Sequence, residues 1–462
     1  MRRMILFVVV AGFFVVSGLA ASAAPRMAIG FYDDNSFRWS PDVAKNLLAA
    51  QRAGASVIHV TADWSQIAPT EPAVPANGDD PAYRISDLDA LVDSASRYGL
   101  QVMINISGAP KWANGGQPAN RPPTDLSTLT TFAHMLARRY NGYGKHGWVG
   151  RWSVWNEPNL GLFLRPTFSA SGAIVSPAAY LKIYLAAYAG IKSGNPKALV
   201  AVGETSNRGR DKPLAGAPDS IAPATFAYML SKLDPTLPFD AWATHPYPTD
   251  PFLGPTQKVA WPNVTLTRIT QFGQSLQTWF HRRVPIWITE YGEQTKPEFS
   301  LGVSYAQQAA DAKTALQLAA ASPYVEMFVW FTIRDSPQTW QSGLFQASGL
   351  KKPSYAVFAA AAKPLVGQTV QISTRKNPTV KVYVPFIAYH DARGTTVSIL
   401  LEVLDGKKKL AVQQENTQLA VDQSVTLQLN FTPVHGKQYI LLADVHDQNG
   451  QHDRRTIVLQ TT

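Results

Sequence analysis

The sequence predicts an α/β protein in which an eight-stranded (β/α)8 TIM barrel is followed by a C-terminal antiparallel β-sandwich. Apolar and amphipathic segments alternate eight times between residues 28 and 364, as buried parallel strands and their covering helices do. Polar or aromatic residues gather at the carboxyl end of each apolar segment, where barrels place functional side chains. After Pro364 the helical pattern stops, and short alternating segments typical of a small sandwich follow.

Each predicted barrel strand is a short apolar run bounded by turn residues or polar side chains. The fourth run starts at Arg151 and ends abruptly in Asn156, Glu157 and Pro158. Because proline cannot donate to a sheet ladder, it stops this strand and turns the chain outward. The eight predicted strands cover residues 28–34, 55–64, 100–108, 151–159, 198–206, 241–248, 284–292 and 324–335.

Amphipathic segments with helix start and stop signals lie between these strands. Ser40 suits the cap of the first helix, Pro41 its first position and Gly54 its end. A doubly wound open sheet is the alternative, but it would need a glycine-rich phosphate-binding turn after an early strand, and the sequence has none. The predicted helices cover residues 40–54, 86–99, 124–140, 176–193, 223–233, 266–282, 304–321 and 353–364.

The first 23 residues predict a signal peptide. Arg2 and Arg3 precede an apolar run at residues 4–19, and small residues at 21–23 form a cleavage site. An uncleaved anchor is the alternative, but the run is short and lacks a charged stop. No later stretch is apolar enough to span a bilayer. We therefore expect a secreted, extracellular or periplasmic protein with a signal peptide at 1–23, a barrel domain at 24–366 and an Ig-like β-sandwich accessory domain at 367–462.

The composition excludes several kinds of site. The 462 residues include no cysteine, which rules out disulfides and a thiol nucleophile. The net charge is +10, but Lys and Arg are scattered, so nucleic acid is not an expected partner. Three lysines at 407–409 follow Asp405 and Gly406 at a predicted hairpin tip. The nine histidines show no metal-ligand spacing, and phosphate-binding loops and nucleophile elbows are absent, so no cofactor is implied. We expect a monomer.

Two carboxyl groups stand at predicted strand ends, Glu157 after strand four and Glu290 at the end of strand seven. In a closed barrel these strands lie across the mouth from each other, so both side chains can face one cavity. A carboxyl group at a buried strand end is costly unless it has a function or a partner. An ion pair with an arginine is the simple alternative for Glu157. Cleavage of a glycosidic bond, however, needs one protonated and one ionised carboxyl group.

The motif Trp-Asn-Glu-Pro at residues 155–158, followed by Ile-Thr-Glu-Tyr-Gly at 288–292, resembles the retaining glycoside hydrolases of clan A, especially the cellulase-like family 5 and family 39. The resemblance covers residues 28 to about 364 and includes the order and strand placement of both motifs. It implies that Glu157 is the acid/base and Glu290 the nucleophile.

The resemblance also assigns residues around this pair. It implies that Asn156 binds the sugar 2-hydroxyl, and that His245 and Tyr247 form the aromatic and histidine pair near the nucleophile. Tyr247 can hydrogen-bond the Glu290 carboxylate and help to keep it ionised. Trp330 resembles the tryptophan platform for the sugar. His245 could instead satisfy a loop carbonyl, and Trp330 could belong to the core.

The sequence departs from the clan pattern near strand two, where His59 and Asp63 stand instead of an arginine. Because of this departure, the sequence does not determine which charged groups surround the nucleophile. It also leaves open whether the family is 5 or 39. Glu293 ranks below Glu290 as the nucleophile because it follows Gly292 and has left the strand. The other strand-end acids could line substrate subsites or pair with arginines at 208, 210 or 334; they are Asp33, Asp34, Asp63 and Glu204.

Five aromatic residues in predicted loops are candidates for stacking on sugar rings. Individually each is as well suited to packing, but together they favour an oligomeric or polymeric glycan. They are Trp64, Trp112, Phe163, Trp261 and Trp340. The sequence thus predicts an exported retaining glycoside hydrolase that acts on a poly- or oligosaccharide through a glycosyl-enzyme on Glu290. A catalytically silent glycan-binding protein and a transglycosylase are the alternatives.

Overall fold

The computed structural model has the predicted closed barrel of eight parallel strands. The strands follow each other around the ring in chain order, and the last pairs with the first. They are β1 (Ala28–Tyr32), β2 (Val57–Asp63), β3 (Gln101–Ser107), β4 (Arg151–Val154), β5 (Leu199–Ser206), β6 (Ala241–His245), β7 (Ile286–Tyr291) and β8 (Val325–Phe331).

The structure describes residues 27–95, 98, 100–298, 300–336, 340–366, 369–372, 374–383, 395–406, 408–419, 424–447 and 452–461. The predicted signal peptide at 1–23 lies outside these residues. Within them, no helix has both the length and the apolar character needed to cross a membrane.

Eight helices of ten residues or more cover the described part of the barrel, in the predicted order. Helix α2 begins at Val43, later than expected, because Ser40 Oγ accepts a hydrogen bond from the Asp42 amide outside the helix. Single helical turns, α1 and α3, were not predicted. The helices are α1 (Asp34–Phe37), α2 (Val43–Arg52), α3 (Trp64–Ile67), α4 (Ser86–Ala95), α5 (Leu126–Arg139), α6 (Ser176–Gly194), α7 (Pro223–Leu233), α8 (Ile269–Trp279), α9 (Tyr305–Ala321) and α10 (Pro353–Val366), with 3-10 turns at Pro251–Thr256 and Leu266–Arg268.

The barrel has two apolar layers, because successive side chains of a strand point to opposite faces. The outer layer lies between the strands and the helices and includes Trp152, Trp242 and Trp330. The inner layer fills the barrel itself and contains Met103, Trp287 and other side chains. The remaining inner residues are Val57, Ala201, Ala241, Ala243, Met327 and Val329.

Two strands are irregular at their carboxyl ends. The pairing of β5 with β6 shifts between Val202 and Thr205, and the pairing of β7 with β8 shifts between Ile288 and Tyr291. Glu204 and Glu290 lie inside these irregular stretches. Such bulges re-aim side chains, and here both carboxyl groups turn inward, toward His245 on β6, although regular alternation would direct them toward the helices.

The C-terminal region forms the predicted β-sandwich. A five-stranded sheet has the order β12-β11-β14-β15-β9, and β10 pairs with β13 in a second sheet. One apolar cluster includes Ile399 and Leu441 from the first sheet and Leu427 from the second. β9 pairs with β15 in parallel, whereas the other pairs are antiparallel. The strands are β9 (Thr369–Ile372), β10 (Thr379–Tyr383), β11 (Thr395–Asp405), β12 (Lys408–Leu419), β13 (Ser424–Gln428), β14 (Gln438–Asp447) and β15 (His452–Thr461).

Candidate active site

The end of β4 delivers Glu157 to the barrel mouth through an unusual backbone. Trp155 has a φ of 67° and Glu157 a φ of 38°, both in the left-handed region. The Trp155 indole is buried and donates to the Phe163 carbonyl at 2.7 Å, while Asn105 on β3 donates to the Trp155 carbonyl at 2.6 Å. Non-glycine residues adopt such angles at a cost of about 1 kcal/mol or more each, and they cluster at functional sites.

His245, the last residue of β6, lies at the centre of three carboxyl groups. Its Nδ1 lies 3.0 Å from Glu157 Oε1 and 3.7 Å from Glu290 Oε2, and its Nε2 lies 2.8 Å from Glu204 Oε2. Because one nitrogen faces both Glu157 and Glu290, the two nearest oxygens of this pair lie less than about 7 Å apart. The structure therefore brings together the two strand-end carboxyl groups that the sequence singled out.

Burial and polar contacts set opposing effects on the Glu290 carboxyl group. Its burial raises the pKa to about 7, and the charge of Glu157 adds to this effect, whereas His245 and the Tyr247 hydroxyl oppose it. The Tyr247 hydroxyl donates to Glu290 Oε2 at 3.0 Å, as the sequence predicts. Without these two partners the carboxyl group would keep its proton to still higher pH.

A second row of polar groups lies beneath the pair. Glu204, at a φ of 46° on β5, accepts from the Thr289 hydroxyl at 2.6 Å as well as contacting His245. His59 on β2 contacts the Thr289 carbonyl through Nδ1 at 3.1 Å. Burial would raise the pKa of Glu204, but the hydrogen bond and charge of His245 outweigh burial and hold that pKa below its usual value.

Two of the predicted sugar-binding tryptophans have other positions. Trp330 is fully buried, donates through Nε1 to the Ser342 carbonyl at 2.9 Å and packs on Phe358 of α10. Trp64 is 1% exposed and stacks on Phe132 of α5. Neither offers a face to a sugar in this structure, so the predicted platform at Trp330 and the predicted stacking candidate at Trp64 were wrong, and the packing alternative holds for both.

Other predicted contact residues stay accessible. Asn156 is partly exposed beside Glu157 at the end of β4. Trp112 is also partly exposed, and its Nε1 donates to the Ala68 carbonyl at 2.8 Å, which fixes the plane of the indole. Phe163, Trp261 and Trp340 are partly exposed as well. Sugar contacts by these residues stay predictions.

Sequence reasoning missed Tyr32 and Phe331, whose rings lie 5.1 Å apart at the mouth. Tyr32 also packs on His59 at 4.3 Å, and Phe331 packs on Trp340 at 5.6 Å. Strand alternation gives a signal that finds Phe331, because Trp330 before it packs outward against the helices. This aromatic group, rather than Trp330, lines the β8 side of the mouth.

The remaining strand-end acids near β1 and β2 mostly serve the backbone. Asp33 accepts from the Ser36 amide at 2.9 Å and caps α1, and Asp63 accepts from the Ser65 amide at 2.9 Å and caps α3. Asp34 forms an ion pair with Arg38 at 2.8 Å. Of the arginines expected at 208, 210 and 334, Arg334 contacts Asp33, but through its backbone amide at 3.2 Å rather than through its guanidinium group.

Glu293 hydrogen-bonds a different residue from those around Glu157 and Glu290. It accepts from the Tyr291 hydroxyl at 2.9 Å, and its burial, followed by the charge of Asp311, raises its pKa to about 9. A carboxyl group that holds its proton at neutral pH is a poor nucleophile. This finding agrees with the lower rank that the sequence gave to Glu293.

Solved structures of glycoside hydrolases have the same fold. A family 39 glycoside hydrolase from the gut symbiont Bacteroides cellulosilyticus WH2 is 18% identical with a TM-score of 0.52, over 89% of this chain and 81% of that chain. The GH39 enzyme from Xanthomonas axonopodis pv. citri is 15% identical with a TM-score of 0.52, over 89% and 93%. GH5_18 from Streptomyces cattleya, solved in complex with GlcNAc, is 16% identical with a TM-score of 0.54, over 77% and 86%.

These identities show a shared fold. Among curated proteins, none matches this chain in sequence. A family model does match. The model for Cellulase (glycosyl hydrolase family 5) matches residues 26–333, which is about two thirds of the chain and almost the whole barrel. The protein is therefore a glycoside hydrolase and belongs to glycosyl hydrolase family 5.

Proposed function

We propose that this protein is a retaining glycoside hydrolase that cleaves a poly- or oligosaccharide by double displacement. One observation supports this most directly: His245 Nδ1 faces both Glu157 and Glu290, so their nearest oxygens lie less than about 7 Å apart. This upper limit, the sum of 3.0 and 3.7 Å, reaches only the short end of the range of about 6.5–9.5 Å that an inverting enzyme needs to hold a water molecule between its carboxyl groups. The pair therefore suits direct attack by one carboxylate.

In the first step, Glu290 attacks the anomeric carbon as the glycosidic C–O bond breaks, and Glu157 gives its proton to the leaving oxygen. Glu290 becomes a neutral ester and Glu157 a carboxylate. In the second step, Glu157 takes a proton from water, the resulting hydroxide attacks the anomeric carbon, and Glu290 leaves as a carboxylate. Asn156, beside the acid/base, is proposed to bind the sugar 2-hydroxyl.

The pKa of Glu290 sets the expected pH range of activity. An ester can form only from the ionised carboxylate, and burial raises the Glu290 pKa to about 7. We therefore expect kcat/KM to rise with pH up to about 7. Because Glu290 lies close to other ionisable groups, the rate profile reports the interacting groups together rather than one residue.

We also propose that the enzyme is an exported monomer, with a signal peptide at 1–23, the catalytic domain at 24–366 and the accessory domain at 367–462. The support is the charged start, the apolar run and the small-residue cleavage site of the sequence. N-terminal sequencing of the exported protein should find Ala24 or Pro25 first, and light scattering should give the mass of one chain.

The first experiment is trapping with a panel of activated 2-deoxy-2-fluoro glycosides, read by intact mass and peptide mapping. We expect a sugar on Glu290. In Glu157→Ala, hydrolysis of substrates with poor leaving groups should fall about 10²- to 10⁴-fold, because the leaving oxygen loses its proton donor. Azide should partly replace the missing base and give a glycosyl azide of retained configuration.

Glu293→Gln serves as the matched control, because it alters a buried carboxyl group outside the pair and should label as fast as the wild type. A label on Glu293 or Glu204 would contradict the assignment. Glycan binding without labelling or turnover would favour a catalytically silent binding protein. Transfer of the trapped sugar mainly to other sugars, rather than to water, would favour a transglycosylase.

A further inference from the structure

His245 is fully buried and surrounded by acids from three strands: Glu157 after β4, Glu204 on β5 and Glu290 on β7. The side chains of Glu157 and Glu290 are 15% and 12% exposed, so substrate can reach them. Glu204 is 1% exposed and lies on the far side of the imidazole. It contacts no part of the mouth that a sugar could occupy, and the proposed mechanism does not use it.

The geometry determines how many protons the imidazole holds. Ionised carboxylates only accept hydrogen bonds, and a neutral imidazole has one donor nitrogen. His245 directs Nδ1 to Glu157 at 3.0 Å and Nε2 to Glu204 at 2.8 Å. Thr289 fixes Glu204 as an acceptor, because its hydroxyl donates to the same oxygen at 2.6 Å. Nε2 therefore donates to ionised Glu204, and Nδ1 donates to whichever of Glu157 and Glu290 is ionised, so both nitrogens carry a proton and the ring is an imidazolium.

The other groups around the ring do not supply this charge. His59 contacts the Thr289 carbonyl, and burial holds its pKa below the usual value, so it is neutral. Burial raises the pKa of Tyr247 and of Tyr32 well above the usual range, so both phenols keep their protons. Among the described groups facing the carboxyl pair, His245 is the cation.

We propose that Glu204 is a positioning residue that keeps His245 protonated, so that one fixed imidazolium stabilises negative charge first on Glu290 and then on Glu157. The catalytic part of this inference rests on the proposed double displacement. Glu204 fixes the ring through Nε2, and the Nδ1 proton lies between the two catalytic carboxyl groups.

The charge movement of the first step fits this arrangement. Before attack, Glu290 is ionised and Glu157 is protonated. After attack, Glu290 is an ester and Glu157 is ionised. Negative charge therefore moves between two groups that lie 3.7 Å and 3.0 Å from the same nitrogen. A preorganised charge that needs no reorientation during the step stabilises the transition state. The second step reverses the movement past the same nitrogen.

The first test needs no substrate. Ring ¹⁵N and ¹H resonances of histidine distinguish imidazolium from neutral imidazole, and the signal of His245 is assigned by its loss in His245→Asn. We expect wild-type His245 to stay an imidazolium well above the pH at which a histidine usually loses its proton, and Glu204→Gln to make it titrate at lower pH. Glu293→Gln, the matched buried control, should leave the titration unchanged. A neutral His245 at pH 6 in the wild type would overturn the inference.

The second test measures kcat/KM against pH with the activated aryl glycoside that the wild type hydrolyses fastest. Glu204→Gln removes two opposing effects on the Glu290 pKa: the cation of His245, which lowers it, and the smaller effect of the Glu204 charge, which raises it. Because the loss of the cation is the larger effect, we expect the acidic limb to move to higher pH. Glu204→Asp retains the negative charge and should restore the limb even if its rate is lower. A merely structural Glu204 would lower rates without moving the limb.

The two proposals fail separately. If the wild type hydrolyses and traps glycosides, the proposed function is supported. If Glu204→Gln then has the same acidic limb as the wild type, this inference is overturned. A wild type that neither hydrolyses nor traps any glycoside loses the proposed function. In that case the resonances of His245 still show whether Glu204 keeps its imidazole ring protonated.

Discussion

The Tyr247 hydroxyl is the direct hydrogen-bond donor to the proposed nucleophile. It donates to Glu290 Oε2 at 3.0 Å, while its ring stacks on Tyr291 at 5.9 Å with a 14° angle between the planes. This stacking holds the Tyr247 ring in place and therefore also holds its hydroxyl group beside Glu290. Since a hydrogen bond to the charged form favours that form, Tyr247 keeps the pKa of Glu290 lower than burial alone would.

Replacing Tyr247 by phenylalanine should therefore affect both rate and pH dependence. A hydrogen bond to a charged group contributes about 1.5–3 kcal/mol, so we expect kcat/KM to fall about 10- to 100-fold at neutral pH. The acidic limb should move to higher pH, because the Glu290 pKa rises without the donor. Tyr291→Phe is the control, since its hydroxyl donates to Glu293 instead. An unchanged limb in Tyr247→Phe would contradict the role of this hydroxyl.

The role of an individual residue could be predicted from the sequence only where a local pattern, such as a proline after a strand or the alternation of a strand, shows where its side chain points. Pro158 marked the end of the predicted fourth strand, so Glu157 was found, although β4 itself ends earlier, at Val154. Trp330 was misassigned because its motif position outweighed strand alternation, which directs it to the helix layer. Glu204 was named among several strand-end acids, but its contact with His245 joins residues 41 positions apart. No local pattern reports such a contact.

At the scale of elements, the irregular end of β5 depends on Gly203. Its φ is +107°, and an added Cβ would lie 2.7 Å from the Trp242 ring and 2.8 Å from the Ala243 carbonyl oxygen. The Gly203 amide donates to the Tyr180 hydroxyl at 2.8 Å, and that hydroxyl donates to the Val154 carbonyl at 3.0 Å. One tyrosine of α6 thus connects the ends of β4 and β5, which hold Glu157 and Glu204.

We expect Gly203→Ala to destabilise the barrel by about 2–5 kcal/mol, from backbone strain and overpacking together. Its unfolding midpoint should fall by several degrees, measured by circular dichroism at one scan rate. Gly216→Ala is the matched control, because Gly216 also has a positive φ, +76°, but no atom lies within 4 Å of its added Cβ. Equal midpoint losses in both variants would show that crowding at Trp242 is unimportant.

Element order and type followed from apolar periodicity, whereas the irregular ends did not. The α7 boundaries agree with the predicted 223–233 because Pro223 occupies its first turn. The bulges in β5 and β7 depend on pairing with neighbouring strands, which a single segment does not encode. The positions of Glu204 and Glu290 relative to each other therefore depend on the whole barrel, although both residues could be picked out from the sequence.

At the scale of the whole molecule, several buried acids hold protons that the unfolded chain would release. Burial is the main cause in each case: it raises the pKa of Asp33 to about 6, of Glu290 to about 7 and of Glu293 to about 9. Between the unfolded values, near 4, and these folded values, the folded state binds more protons. Stability is therefore greatest at the acidic end of this range and falls as pH rises toward 9.

Glu293→Gln should remove the largest part of this pH dependence. A glutamine can still accept from the Tyr291 hydroxyl but cannot ionise. We expect its melting midpoint to resemble that of the wild type near pH 5 and to exceed it by several degrees at pH 9. Circular dichroism melts at pH 5, 7 and 9 measure this difference. A difference that shrinks as pH rises would contradict the raised pKa of Glu293.

The apolar floor of the barrel has a consequence for proton exchange with water. Met103, Trp287 and Met327 fill the barrel interior below the acids, and His245 and Glu204 have almost no exposed surface. The polar contacts that lead from these two groups toward solvent run through Glu157 and Glu290, which are partly exposed at the mouth. In the proposed mechanism a bound sugar would cover that opening, so the enclosed groups would neither gain nor lose a proton until water enters for the second step. The protonation state present when substrate binds is then the one in which the bond is broken.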